Sequence, residues 1–139
     1  RDLRPDVAFG ADIITGFPTE TDEMFENTLD IVEECDLTYL HVFPYSEREG
    51  TPAAKIPDQV DSSVRKERAK RLRELGDTQL SEFSKKQVGK EVSVVVEKDS
   101  KARAENFVHM QLNKEIKSGS LIQAKILRFE NNGLYAAPL

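Results

Sequence analysis

Two stretches of the sequence decide the fold: DIITGFPTE at residues 12–20 and HVFPYSEREGTPAA at residues 41–54. In each, β-branched and aromatic residues typical of a buried strand run into a Gly/Pro turn. An amphipathic stretch of helix length lies between them. This order predicts a βαβ unit with parallel strands, and open and barrel α/β folds bind their ligands at the carboxyl ends of such strands.

Working outward, the pattern predicts a strand over residues 7–16 and a second strand over residues 38–45. Thr19 or Thr21 is expected to cap the helix between them, because hydroxyl side chains bond the free N–H groups at a helix start. The apolar face of that helix runs from Met24 to Cys35, which predicts that Cys35 is a small core residue. His41 is predicted to be a satisfied structural histidine of a core strand rather than a catalyst.

A long charged helix is predicted next, over residues 62–87, with Asp61 or Ser62 as its cap and Gly76 as a point where it bends or breaks. After it the hydrophobic period changes to two. Short strands are expected at residues 91–97, 103–112, 121–129 and 134–137, which predicts a small antiparallel β-barrel of the OB type. The predicted domains are 1–60 (α/β, part of a parallel barrel), 61–88 (linking helix) and 89–139 (β-barrel).

The composition of the chain excludes several classes of protein. The chain has 139 residues and a single cysteine, which excludes an internal disulfide framework and a metal site built from cysteines alone. No apolar run approaches the roughly 20 residues that span a bilayer, so no membrane partner and a reducing, cytoplasmic setting are expected. Residues 1–60 are acidic and residues 61–139 carry an excess of Lys and Arg. The basic part either meets a polyanion or forms ordinary solvated faces.

The corner after the first strand offers two interpretations. Gly16 permits a close backbone approach, and Thr19 and Glu20 present polar groups beside the next helix, as a nucleotide-like ligand requires. Alternatively, Gly16 and Pro18 serve the geometry of a strand-to-helix turn alone. The sequence has no metal-ligand spacing, no nucleophile–base pair and no Walker-type loop, so no catalytic residue is predicted in it.

The barrel offers a candidate nucleic-acid surface. Small barrels hold single strands with basic grooves and stacked aromatic rings. Phe107 is expected to be a core residue rather than a stacking one. The residues predicted to bind RNA are Arg103, Asn106, His109, Lys125 and Arg128.

The two opening stretches also resemble a family. DIITGFPTET is similar to the GFPGET-type segment of radical S-adenosylmethionine (SAM) methylthiotransferases, with Thr19 where Gly is usual. YSEREGTPAA, residues 45–54, resembles the family's YSxRPGTPAA segment, with Glu49 for the usual Pro. LHVFP, residues 40–44, resembles the branch that acts on threonylcarbamoyladenosine in tRNA, and the final barrel resembles the family's RNA-binding TRAM domain.

The resemblance implies a C-terminal piece of an enzyme that methylthiolates C2 of N6-threonylcarbamoyladenosine at position 37, in the tRNA anticodon loop. It implies SAM and two [4Fe-4S] clusters in the parent, and a piece that is inactive alone, because the cluster-binding CxxxCxxC triplet is missing. The rival interpretations are a non-enzymatic RNA-binding module and a sister enzyme acting on isopentenyladenosine tRNA or a ribosomal protein. By family analogy, the SAM side of the barrel is lined by Ile14, Gly16, Phe17, Pro18, Glu20, Phe43 and Tyr45.

Overall fold

The computed structural model describes residues 2–139. These residues form two compact units, one made of Phe9–Leu80 and the other of the residues up to Ala8 together with Ser81–Leu139. This division concerns packing alone, so the predicted domain bounds at residues 60 and 88 stay a prediction.

The first unit contains the expected βαβ order. Strand β1 spans Gly10–Thr15, helix α1 spans Asp22–Glu34 and strand β2 spans Tyr39–Pro44. The strands pair in parallel, which confirms the prediction, and the Tyr45 N–H donates to the Thr15 carbonyl at 2.8 Å. The two Gly/Pro corners therefore lie side by side at one end of the strand pair. A short 3-10 helix, Ala53–Lys55, interrupts the loop that follows β2.

Thr21 is the N-cap of helix α1, and its hydroxyl accepts a hydrogen bond from the Met24 N–H at 3.2 Å. Phe25 and Val32 carry its buried face. Cys35 is exposed and forms the C-cap. The prediction of a core cysteine is wrong, because the helix ends one residue before it and its side chain leaves the packed face.

Helix α2 spans Ser62–Lys85, and the residue before it, Asp61, caps it: the Asp61 carboxylate accepts a hydrogen bond from the Ser63 N–H at 2.7 Å. Its residues Ala69 and Leu72 join the core of the first unit. The helix is continuous at Gly76, so the expected break is absent. A Cβ at that position would lie 3.2 Å from Leu40 Cδ1, so this glycine allows close packing between the helix and β2.

The strands of the second unit are β3 (Glu91–Val96), β4 (Lys101–Ala104), β5 (His109–Leu112), β6 (Leu121–Glu130) and β7 (Gly133–Pro138). Within the described residues they form a closed barrel in the order β3-β4-β5-β7-β6. The four pairs that involve β3, β4 or β6 are antiparallel, whereas β5 and β7 pair in parallel. The predicted small barrel is confirmed, but its strand pairing is mixed rather than antiparallel, and its assignment to the OB type stays a prediction. An odd number of strands cannot alternate in direction around a closed ring, so one pair must run parallel.

Alternating residues fill the barrel, among them Val94, Met110, Ile126 and Leu134. A 3-10 turn, Lys98–Ser100, joins β3 to β4. The strand expected over residues 103–112 is two strands, with a turn at residues 105–108. Phe107 lies in that turn, 62% exposed, so the expectation that it belongs to the core is wrong. The turn between β6 and β7 consists of Asn131 and Asn132, both at positive φ, as a two-residue hairpin loop of this kind requires.

Candidate functional site

Within the described residues, one face of the β1–β2 pair is uncovered. Ile14 and Phe43 are neighbours in register, 55% and 54% exposed, whereas Ile13 and Val42 on the opposite face pack into the core. Parallel strands are usually covered on both faces. We call the carboxyl ends of these strands, residues 14–17 and 43–45, the rim. The rim therefore presents an open apolar surface.

Two aromatic rings meet at the rim. Phe17 and Tyr45 pack edge to face with centroids 5.5 Å apart, and the Arg65 guanidinium lies 5.1 Å from the Tyr45 ring centre. The Tyr45 hydroxyl is buried and has no hydrogen-bond partner among residues 2–139. A buried hydroxyl without a partner is costly, so its position favours a partner that lies outside this chain.

Gly16 is held between β1 and helix α2. Its φ is +71°, and a Cβ there would lie 2.5 Å from Arg65 Cγ and 3.1 Å from Arg65 Cα. Because the backbone of helix α2 passes so close to Gly16, a side chain at this position would clash with it, and glycine is required. This favours the structural interpretation of the corner, in which Gly16 and the buried Pro18 set the geometry of the turn.

The Glu20 carboxylate stabilises the turn between β1 and α1 through two contacts. Its Oε1 accepts a hydrogen bond from the Gly16 N–H at 2.9 Å and lies 2.6 Å from Arg68 Nη1. Arg68 also reaches Asp22, at 2.6 Å. Burial opposes the charge of Arg68, but its hydrogen bonds to Asp22 and Glu20 outweigh that effect and raise its pKa. The carboxylate of Glu20 is thus engaged by the protein, and its predicted contact with a cofactor stays a prediction.

Arg65 organises the long loop, and the sequence analysis missed it. Its Nε donates to the Val60 carbonyl at 2.7 Å, and its Nη2 donates to Glu47 at 3.0 Å and to Gln59 at 3.2 Å. Nothing in the sequence distinguishes Arg65 from the other basic residues of a charged helix. Only the folded structure shows that it ties the loop to the rim.

His41 is exposed and lies opposite Asp12 in the register of the two strands. The prediction of a satisfied core histidine is wrong, because His41 lies on the same uncovered face as Phe43. The Asp12–His41 pair precedes the Ile14–Phe43 pair by two residues along the strands, so all four side chains lie on the same face of the sheet.

On the barrel, the five predicted RNA-binding residues do not form one cluster. Arg103 and His109 are neighbours in register, with Glu97 2.9 Å from Arg103 and 3.9 Å from His109. Asn106 is used internally, donating to the Asp6 carbonyl at 3.4 Å.

The remaining two lie on β6. Lys125 pairs with Glu91 at 3.7 Å, while Arg128 stacks on Tyr135 at 4.5 Å and bonds Glu130. Their contact with RNA stays a prediction.

The described residues, 2–139, hold neither a metal-binding cluster of side chains nor a membrane-spanning helix. They contain no group of three His, Cys, Asp or Glu side chains close enough to hold a metal ion. None of their helices is both long and apolar enough to cross a membrane.

Comparison with known proteins gives close relatives. The chain is 53% identical over 130 residues to the threonylcarbamoyladenosine tRNA methylthiotransferase of Rickettsia prowazekii, covering 94% of the chain and 31% of the relative. The enzyme of that name from Aquifex aeolicus is 33% identical over 88% of the chain and 30% of its own length. A tRNA-2-methylthio-N(6)-dimethylallyladenosine synthase of Magnetococcus marinus is 44% identical over 74% of the chain and 24% of its own length.

No protein-family model matches the chain. The chain spans less than a third of the length of these relatives. The similarity covers nearly all of the chain and includes the stretches that hold the rim. The chain therefore belongs to the radical SAM methylthiotransferase family.

Proposed function

We propose that this chain is the C-terminal part of a cytoplasmic enzyme that methylthiolates C2 of N6-threonylcarbamoyladenosine at position 37 of the tRNA anticodon loop. The observation that carries the proposal is the 53% identity, over 94% of the chain, to a relative named for threonylcarbamoyladenosine tRNA. In this proposal the first unit completes the cofactor-binding end of the parent's α/β barrel. The closed barrel is its TRAM domain, an OB-like module that holds the tRNA.

A second candidate is a sister enzyme that acts on dimethylallyladenosine tRNA. The 44% identity to a synthase of that product supports it. That match covers 74% of the chain, against 94% for the threonylcarbamoyladenosine enzyme, so the first candidate is favoured.

The residues of the rim fit one side of an adenine-bearing cofactor such as SAM. Ile14, Phe17 and Phe43 expose flat apolar surface, and the Tyr45 hydroxyl lacks a partner within the described chain. When bound, SAM would supply a methyl group and, after reduction by an iron–sulfur cluster of the parent, the radical that starts the chemistry. The role of this chain is then to cover one face of the cofactor and exclude water, with Glu20 and Arg68 keeping the Gly16 corner in shape.

The described residues do not fit an iron–sulfur cluster. Such clusters are held by several thiolates, whereas this chain has only Cys35, which is exposed at the end of α1. In this proposal, residues of the parent outside this chain bind the two [4Fe-4S] clusters.

Nucleoside analysis tests the function. The full-length parent gene is deleted in its host, and total tRNA is digested and analysed by mass spectrometry. Loss of 2-methylthio-N6-threonylcarbamoyladenosine, restored by the intact gene, supports the proposal. Loss of the dimethylallyl product instead supports the sister enzyme. If tRNA modification is unchanged while the purified protein still binds tRNA, the protein is an RNA-binding module.

A rim variant links the activity to this chain. Phe43→Asp in the full-length parent places a charge on the uncovered apolar face and is expected to abolish modification. Ile31→Ala is the matched control, since Ile31 is also exposed, at 49%, but lies on helix α1 away from the rim. Equal activity of the two variants would contradict a cofactor-binding rim.

A further inference from the structure

Arg65 lies between the two corners of the rim and contacts both of them. Its backbone passes beside Gly16, where a Cβ would lie 3.1 Å from Arg65 Cα, and its carbonyl accepts a hydrogen bond from the Thr15 hydroxyl at 3.4 Å. Its guanidinium lies 5.1 Å from the centre of the Tyr45 ring, and its Nη1 donates to the Tyr45 carbonyl at 3.4 Å. One residue of helix α2 thus contacts the end of β1 and the residue that follows β2.

The same side chain also holds both ends of the loop after β2, residues 46–60. The Arg65 Nε donates to the Val60 carbonyl at 2.7 Å, at the far end of the loop. Its Nη2 donates to Gln59, beside that end, at 3.2 Å and to Glu47, at the near end, at 3.0 Å. The two ends of the loop are therefore joined through one guanidinium group.

The surroundings of Arg65 suit a group that sets geometry. Its side chain is only 11% exposed, yet the carboxylate that it pairs with, on Glu47, is 53% exposed. An ion pair with an exposed partner contributes little to stability, whereas removing a guanidinium from water has a cost that its hydrogen bonds must offset. A guanidinium holds its donors in a rigid planar fork, which can orient several acceptors at once. The arrangement therefore favours a positioning role over a role in stability alone.

The contacts of Arg65 continue to the exposed part of the rim. The Tyr45 ring, beside which the guanidinium lies, packs edge to face on the Phe17 ring with centroids 5.5 Å apart. Phe17 is 45% exposed and presents apolar surface at the end of β1. Arg65, Tyr45 and Phe17 thus form a continuous series of contacts from a nearly buried side chain to an exposed one.

We propose that Arg65 is a positioning residue for the cofactor-binding rim: it fixes the Tyr45 and Phe17 rings and the ends of the following loop in the arrangement that the cofactor contacts. The inference rests on the function proposed above, because SAM at the rim belongs to that proposal. Arg65 acts through the two rings and does not itself contact the cofactor. A site whose supporting residues hold it about 1 Å too loosely loses much of its function, so a residue behind the rim can determine affinity.

Binding of S-adenosylhomocysteine (SAH) tests this inference without depending on turnover. Its affinity is measured by calorimetry on the full-length parent with its clusters in place. Arg65→Lys keeps the positive charge but loses the planar fork of donors. The SAH affinity of this variant is expected to fall by about fivefold to tenfold, an effect comparable to the loss of one hydrogen bond, while the Tm stays close to that of wild type.

Arg71→Lys is the matched control, because it makes the same change on the same helix. The Arg71 guanidinium also lies 5.0 Å from an aromatic ring centre, that of Phe25, and also bonds a half-exposed carboxylate, that of Glu26. None of these residues belongs to the rim. Arg71→Lys is therefore expected to bind SAH like wild type.

A double-mutant cycle distinguishes positioning from a general structural role. Phe17→Ala removes the exposed ring that Arg65 is proposed to position. In that background Arg65→Lys is expected to lower SAH affinity by less than about twofold, because residues that act through one another have non-additive effects. An arginine with a merely structural role would lower the affinity by the same factor in both backgrounds.

A second variant covers the case in which Arg65→Lys does not fold. Glu47→Ala removes a half-exposed acceptor of Arg65 without opening the core, and it is expected to lower SAH affinity at unchanged Tm. Unchanged affinity of this variant would then overturn the inference.

The inference is also overturned by unchanged SAH affinity of Arg65→Lys, by an equal loss in Arg71→Lys, or by additive losses in the cycle. Each of these outcomes leaves the proposed function intact, since wild type still binds SAH. A wild-type parent that binds no SAH contradicts the cofactor-binding rim and this inference together, while nucleoside analysis judges the tRNA product separately.

Discussion

Glu20 and Arg68 form a largely buried ion pair, with Glu20 Oε1 and Arg68 Nη1 2.6 Å apart and both side chains less than one-seventh exposed. The pair joins the corner after β1 to helix α2. Because the same carboxylate oxygen also accepts the Gly16 N–H, the ion pair fixes the backbone at the rim.

Removing the arginine leaves that carboxylate buried without its partner. Arg68→Ala is expected to lower the free energy of unfolding by about 2–4 kcal/mol, since an uncompensated charge remains in the unit. Urea denaturation measures the change. Lys70→Ala is the control, because Lys70 lies on the same helix in an exposed pair with Glu74 and is expected to cost less than about 1 kcal/mol. Equal losses would show that the buried pair has no special role.

Gly16 is subject to two constraints: its φ is positive, and helix α2 packs close to its Cα. Gly50 is subject only to the first, so comparing the two glycines distinguishes the costs of the two constraints. Gly50 has a φ of +83° with nothing within 4 Å of a built Cβ, whereas at Gly16 a Cβ would clash with Arg65. Gly50→Ala is expected to cost about 1 kcal/mol, and Gly16→Ala at least about 2 kcal/mol more, because the helix must shift. Thermal or urea unfolding of both variants provides the comparison. Similar costs would mean that α2 moves away freely.

The N-cap of α2 predicts that the free energy of unfolding depends on pH. Hydrogen bonds from the Ser63 hydroxyl and then the Ser63 N–H lower the pKa of Asp61. A carboxyl group whose pKa is lower in the folded state stabilises the fold above its unfolded pKa. That stability is lost as the pH falls through the lower, folded value. The start of α2 is thus expected to lose stability in acid, and Asp61→Asn to reduce this dependence. Unfolding free energies of the two proteins, measured from neutral to acidic pH, test it.

The basic residues of the barrel predict salt-dependent RNA binding. Residues 86–139 carry nine Lys and Arg against six Asp and Glu, so affinity for an anticodon stem-loop is expected to be weak and to fall steeply with salt. Arg103→Ala and Arg128→Ala are each expected to lower affinity and flatten the salt slope. Lys70→Ala, in the acidic first unit, serves as the control. If neither arginine variant changes the slope, RNA contacts other residues.

The single cysteine predicts that this chain alone binds no stable iron–sulfur cluster and cleaves no SAM. Anaerobic reconstitution followed by iron analysis and visible absorption measures cluster content. One cluster per chain would refute the prediction and would require ligands other than thiolates from this chain.

Local patterns were enough to predict much of the fold. The βαβ order and the parallel pairing of β1 with β2 follow from signals a few residues long, and the structure confirms them. For each helix start the sequence offered two capping residues, and the structure selects Thr21 over Thr19 and Asp61 over Ser62. The change from helical to strand period near residue 90 likewise predicted the start of the barrel. Such features depend on neighbours along the chain, which is why the sequence alone determined them.

Tertiary structure decided the rest, because each remaining feature depends on residues far apart in the chain. Gly76 was expected to weaken α2, yet it lies where Leu40 packs closely against the helix. Phe107 has the composition of a core residue, but the turn between β4 and β5 places it outside. Arg65 resembles any surface charge until the loop after β2 folds back onto it. Periodicity predicts which face of an element is apolar, while only packing between elements determines which side chains meet.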